Sequence, residues 1–120
     1  MELKRLVPMA EVQNVTRSLA FYAKLGFDVG NTFVPSGATE PSWAWLRNGE
    51  ADLMITEGES PRSDSRSVLF YLYCPDVAEA RKALEAAGVE CGSVQFPFYA
   101  PRGEFEVRDP DGYTLMVTHT

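Results

Sequence analysis

The strongest constraint on the fold is that the chain matches itself. Slid along itself by 62 positions, residues 15–30 (VTRSLAFYAKLGFDVG) fall on 77–92 (VAEARKALEAAGVECG), 53–56 (LMIT) on 115–118 (LMVT), and 7–12 on 69–74. Identity is modest, but apolar pattern and turn residues agree over three separate blocks without a net gap. Such self-similarity marks two copies of one supersecondary unit. They span about residues 1–58 and 66–120, joined by GESPRSDSR at 58–66, whose Ser, Pro and Gly content reads as a surface loop. At 120 residues the pair is expected to form one domain.

Each copy predicts a strand, a helix, then three strands. The apolar run 6–12 reads as a strand. Asn14 is a candidate N-cap, Val15, Leu19, Tyr22 and Leu25 follow at helical spacing, and Gly26 ends the helix. In the second copy Asp76 and Glu79 give a capping signal, Val77, Ala80, Leu84 and Ala87 the apolar stripe, and Gly88 the stop. Residues 27–34, 42–47 and 51–56 read as strands, the last two joined by the hairpin signal Asn48-Gly49. Residues 104–108 and 113–118 are the later pair of the second copy, joined by the turn Asp109-Pro110-Asp111-Gly112. The segment 89–98 reads as an edge strand or loop, since Pro97 and Pro101 interrupt it. The class is therefore α+β: two tandem βαβββ modules sharing a curved mixed sheet, helices on its convex face, with a concave cleft left free.

Composition narrows the function. Eleven Lys and Arg against 17 Asp and Glu give a net charge of −6, the wrong sign for a phosphate backbone, so no nucleic-acid partner is expected. No apolar run approaches a membrane span, and the opening MELKR lacks a signal-peptide pattern. Cys74 and Cys91 have no metal or redox spacing and read as reduced thiols of a cytoplasmic protein. The chain has one histidine, His119, which sharply limits nucleophilic and metal chemistry.

Two stretches resemble the superfamily of glyoxalase I, extradiol dioxygenases, and fosfomycin- and bleomycin-resistance proteins, the vicinal-oxygen-chelate proteins. The run VQNVTRSLAFYAKLGF at 12–27 is similar to its strand–helix signature, and RDPDGY at 108–113 to its late turn. Each also has a purely structural meaning: Phe21 and Tyr22 pack a helix, and the Asp109–Gly112 turn needs its Pro and Gly. The resemblance implies a divalent metal held at the first and last strands of each copy. Counted from the two signatures, those positions fall on Val7, Met54, Leu69 and Met116. None offers the imidazole or oxygen that such ions take, so neither a metal nor any other cofactor is expected.

Strand alternation then suggests the cleft lining. Met54 and Met116 point inward, as do Tyr71 and Tyr73, and Glu104 and Glu106 if Phe105 and Val107 cover the helix side. Trp43 and Trp45 share one face that the sequence does not identify, and Phe33, Phe98 and Tyr99 fall at the rims. Those 11 residues are the candidate ligand-binding set, with no catalytic residue named. Aromatic faces beside carboxylates suit an amphipathic or cationic small molecule. YAPRGEFEVRDP at 99–110 is similar to a stretch of the bleomycin-resistance branch, with Arg102 where that branch has Trp. The resemblance implies a metal-free protein that sequesters such a ligand, and a homodimer. The alternative is a lyase, isomerase or dioxygenase of the same superfamily acting on a small metabolite.

Overall fold

The computed structural model describes residues 1–59 and 68–120, so residues 60–66 of the expected connecting loop lie outside the described set. The chain divides into two compact units, Met1–Pro61 and Arg62–Thr120. Their ladders form two sheets, of four and three strands, where the sequence suggested one shared sheet. The class is α+β.

The first unit runs β1 (Met9–Val12), α1 (Val15–Lys24), β2 (Asp28–Phe33), β3 (Trp43–Asn48) and β4 (Ala51–Glu57). Its sheet has the order β1-β4-β3-β2, with β1 parallel to β4 and the other pairs antiparallel. The first strand starts three residues later than predicted. Pro8 has no N–H to donate, and only its carbonyl joins the sheet, accepting from Met54 N at 2.9 Å. The cap is as predicted: Asn14 Oδ1 accepts from Arg17 N at 2.9 Å. Gly26 takes φ +92°, a left-handed value that ends the helix without strain only because it lacks a Cβ. One side of the sheet (Ala10, Val12, Ala44, Leu46, Leu53, Ile55) is buried, with Val15 and Tyr22 of α1 in the same core. Tyr22 meets Phe27 edge to face, ring centres 5.7 Å apart.

The second unit runs β5 (Leu69–Cys74), α2 (Val77–Ala86), β6 (Glu104–Arg108) and β7 (Thr114–His119), in the sheet order β5-β7-β6. Asp76 caps α2, its side chain accepting from Glu79 N at 3.0 Å. Phe105, Val107, Leu115 and Val117 form the buried side, together with Val77 and Leu84 of α2. The segment 89–98 does not form a strand. It touches β6 at two isolated bridges, Cys91 with Val107 and Gln95 with Glu104. Four steps along the segment answer three along β6, so one extra residue breaks the ladder. Pro97 then removes the next donor. The turn 109–112 is built around a buried carboxylate, Asp109, whose Oδ1 accepts from Asp111 N at 2.9 Å and Tyr113 N at 2.8 Å. Its role is to hold the turn.

Candidate functional site

In each unit one side of the sheet is buried in a core with that unit's own helix, and the opposite side, facing away from that helix, is its open side. Alternation along the strands, fixed by the pairing registers, decides which residues appear on that open side. In the first unit one row reads Met9, Met54, Trp45 and Asn31 across β1, β4, β3 and β2. The next reads Glu11, Thr56, Trp43 and Phe33. Trp43 and Trp45 therefore belong to the open face with Met54, which settles the side the sequence left undecided.

In the second unit the corresponding rows are Tyr71, Met116 and Glu106, then Tyr73, Thr118 and Glu104. Met54 and Met116 occupy the same place in the two sheets, 62 residues apart, as do Met9 and Tyr71. The strands β3 and β6 depart from that offset. Arg47 pairs with Asp52 across four intervening residues, and Arg108 with Thr114 across five. The one-residue longer turn places Glu106, not Val107, at the position of Trp45, and Glu104 at that of Trp43. Two tryptophans in the first copy thus correspond to two glutamates in the second.

Charge is arranged differently on the two faces. Asp52, its side chain 9 % exposed, accepts from Trp45 Nε1 and from Arg47 Nε, each at 2.9 Å, and Arg5 Nε lies 3.7 Å from its other oxygen. The Trp45 and Arg47 hydrogen bonds hold the Asp52 carboxyl below its ordinary value near 3.8. The Arg5 guanidinium also stands 6.0 Å from the Trp45 ring centre. In the second unit Glu106 pairs with Arg108 at 2.9 Å. Glu104 is only 5 % exposed, and the one hydrogen bond to its side chain among the described residues comes from the Tyr99 hydroxyl at 3.2 Å. That bond and the nearby negative charge push the Tyr99 phenol above its ordinary value, because a donor to a carboxylate keeps its proton. Tyr71 and Tyr73 lie in a stacked arrangement, ring centres 6.3 Å apart.

Of the candidate residues, Phe33, Trp43, Trp45 and Met54 gather on the first open face. Tyr71, Tyr73, Glu104, Glu106 and Met116 gather on the second, and Tyr99 joins them through its hydroxyl. Phe98 stands apart at 95 % exposure, its ring set edge-on to Tyr99. Alternation with Met54 already puts Asp52 on the first face; sequence reasoning missed Arg5 there, and missed that Asp52 would be held by an ion pair. The signal was present for Asp52, since Arg47 and Asp52 flank the Asn48-Gly49 hairpin as a cross-strand charge pair. A polar recess of about 260 Å³ lies beside the start of α1, lined by residues including Asn14, Thr16, Glu40 and Glu57, and contains none of the candidates.

The model of the glyoxalase/bleomycin resistance protein/dioxygenase superfamily matches residues 8–117. The chain belongs to that superfamily. Among solved structures it is similar to a bleomycin resistance determinant encoded on the transposon Tn5, with 17 % identity and a TM-score of 0.79 over 98 % of both chains. It is also similar to a bleomycin-binding protein complexed with bleomycin, with 18 % identity and a TM-score of 0.78 over 98 % of this chain and 99 % of that one. A fosfomycin resistance protein from Listeria monocytogenes, complexed with Mn(II) and a dihydroxypropylphosphonic acid, has 15 % identity and a TM-score of 0.71 over 98 % and 93 %. Similarities at this identity establish the fold alone. No curated protein matches the sequence.

Membership in the superfamily raises the question of a divalent ion, and the donors answer it poorly. Met54 and Met116 sit at the central rows of the two open faces, Leu69 lies at the start of β5, and Val7 precedes β1. Thioethers and hydrocarbons do not ligate hard or borderline ions. No cluster of three or more His, Cys, Asp or Glu suited to a metal occurs among the described residues. The residues at these positions do not fit the group. No helix among the described residues is long and apolar enough to cross a membrane.

Proposed function

We propose that this protein is a metal-free binding protein of the bleomycin-resistance type, which sequesters an amphipathic or cationic small molecule on its aromatic and acidic open faces. It works as a single cytoplasmic domain over residues 1–120 and as a homodimer, with no covalent chemistry. The observation that supports this reading is the pairing of registers. Tryptophan, tyrosine and methionine side chains share open sheet faces with carboxylates, and the two methionines, Met54 and Met116, stand where metal-dependent relatives would need donors. Flat apolar surface next to negative charge recognises a ligand that is itself flat or apolar and positively charged. The resemblance of residues 99–110 to the bleomycin-resistance stretch points the same way.

The test is a fluorescence titration. Bleomycin and a panel of cationic metabolites are expected to quench Trp43 and Trp45, the only tryptophans, at micromolar concentration. No response across the panel at concentrations well above that range would count against binding. Metal analysis after dialysis is expected to find none in stoichiometric amount. Stoichiometric Ni, Zn, Mn or Fe would support the enzymatic alternative instead. Sedimentation velocity tests the dimer.

A further inference from the structure

The second unit contains a carboxylate that its own surroundings leave incomplete. Glu104 opens β6 on the open face, opposite Thr118 of β7 on one side and bridged to Gln95 on the other. It is 5 % exposed, Oε1 accepts from Tyr99, and Oε2 is buried with no hydrogen-bond partner among the described residues. No Lys or Arg among those residues pairs with it. Buried polar atoms in folded proteins are almost always satisfied, and an orphaned carboxylate oxygen is among the least favourable to leave so. On the helix side such an atom would be a packing fault. On the side where the candidate ligand contacts gather, it is a vacant acceptor.

The neighbours indicate the donor that fits. In the same row, two strand spacings or ~10 Å away, is Tyr73, stacked with Tyr71. Thr118 and Met116 of β7 floor the space between. Tyr99, the one side chain bonded to the carboxylate, is 60 % exposed, so a χ1 rotation toward solvent can open a path to Glu104. The equivalent position in the first unit, Trp43, offers no charge, and Asp52 on that unit's open face is already met by Trp45, Arg47 and Arg5.

Resting on the binding reading above, we infer that Glu104 is the anchor for a protonated amine or amidine. The apolar or aromatic body bearing that group extends across Thr118 and Met116 to the Tyr71–Tyr73 pair. An N–H cation satisfies Oε2 with a charge-assisted bond, and the tyrosine faces take the remainder of the molecule.

The experiment compares 4-phenylbutylamine with its neutral counterpart 4-phenylbutan-1-ol by NMR titration, following amides of Gly103 and Thr118. The wild-type protein is expected to bind the amine at least tenfold more tightly. Glu104→Gln, which keeps the side-chain shape, should remove that preference and leave the alcohol unchanged, with a thermal melt confirming the fold. Tyr99→Phe should keep the preference, because the anchoring oxygen is the one Tyr99 does not touch. Equal binding of both probes by the wild type, or an undiminished preference in Glu104→Gln, overturns the anchor and leaves the broader binding reading standing. Failure of the wild type to bind either probe at millimolar concentration overturns both. If Glu104→Gln does not fold, equal binding of the two probes by the wild type still overturns the anchor, and Glu104→Ala is then read in its place.

Discussion

On the open face of the first sheet the Asp52 carboxylate is already met by donors and cations, while on that of the second the Glu104 carboxylate holds one oxygen in reserve. Asp52 is surrounded by an indole N–H and two guanidinium groups. Glu104 has one phenol. Both faces sit on the same frame of parallel outer strand, central strand and antiparallel neighbour, with a methionine at the same central place. The comparison shows that a duplicated unit conserves its buried side, which the helix must fit, and is free to diverge on the other. Function is therefore to be sought where the copies differ.

That contrast can be broken or sharpened by measurement. The largest effects should come from the shared side: Phe105→Ala, at a site with no exposure, is expected to cost ~3–5 kcal/mol, and Ile55→Ala in the first unit ~2–5 kcal/mol, in urea unfolding. A cost below ~1 kcal/mol at either site would show that unit to be loosely packed, and the idea of two equal frames would fail. Next come the caps. Asn14→Ala and Asp76→Ala should each lose ~1 kcal/mol, and similar values would mark the helices as interchangeable parts.

The smallest effects separate the faces by pH. Asp52 has a depressed folded value, so its contribution is present above the ordinary carboxylate range and is lost as pH falls through the folded value. Acid titration of stability should therefore be shallower in Asp52→Asn than in the wild type below about pH 4. Tyr99 has a raised value, so its contribution is present below about pH 10 and is lost as pH rises through the folded value. Tyr99→Phe should flatten the alkaline limb only. If either substitution altered the opposite limb, the assignment of charge to the two faces would be wrong.

Much of the frame was legible because it rests on local rules. Asn14, Gly26, Asp76 and Gly88 punctuate the helices, and a period of two names the buried residues of β4 and β7 without reference to anything distant. The rest depended on long-range facts. The delayed start of β1 follows from Pro8 lending the sheet only its carbonyl, which accepts from Met54 N, and the failure of 89–98 to form a continuous ladder follows from a one-residue mismatch against β6. The face of Trp43 and Trp45 was undecidable from their spacing alone, because alternation states which residues share a side but not which side is covered. The orphaned oxygen of Glu104 is beyond any pattern, since it arises from where Tyr99 ends.

The extra residue between Arg108 and Thr114 has a consequence for how such proteins change. Because a strand shows alternate side chains to opposite surroundings, adding a single codon to a hairpin exchanges its inner and outer lettering relative to its sister copy. Comparing the halves by simple counting would match Trp45 with Val107 and hide the exchange for a glutamate. Hairpin length is here a heritable setting that can give one half of a duplicated gene a new chemical vocabulary while the grammar of its interior stays the same.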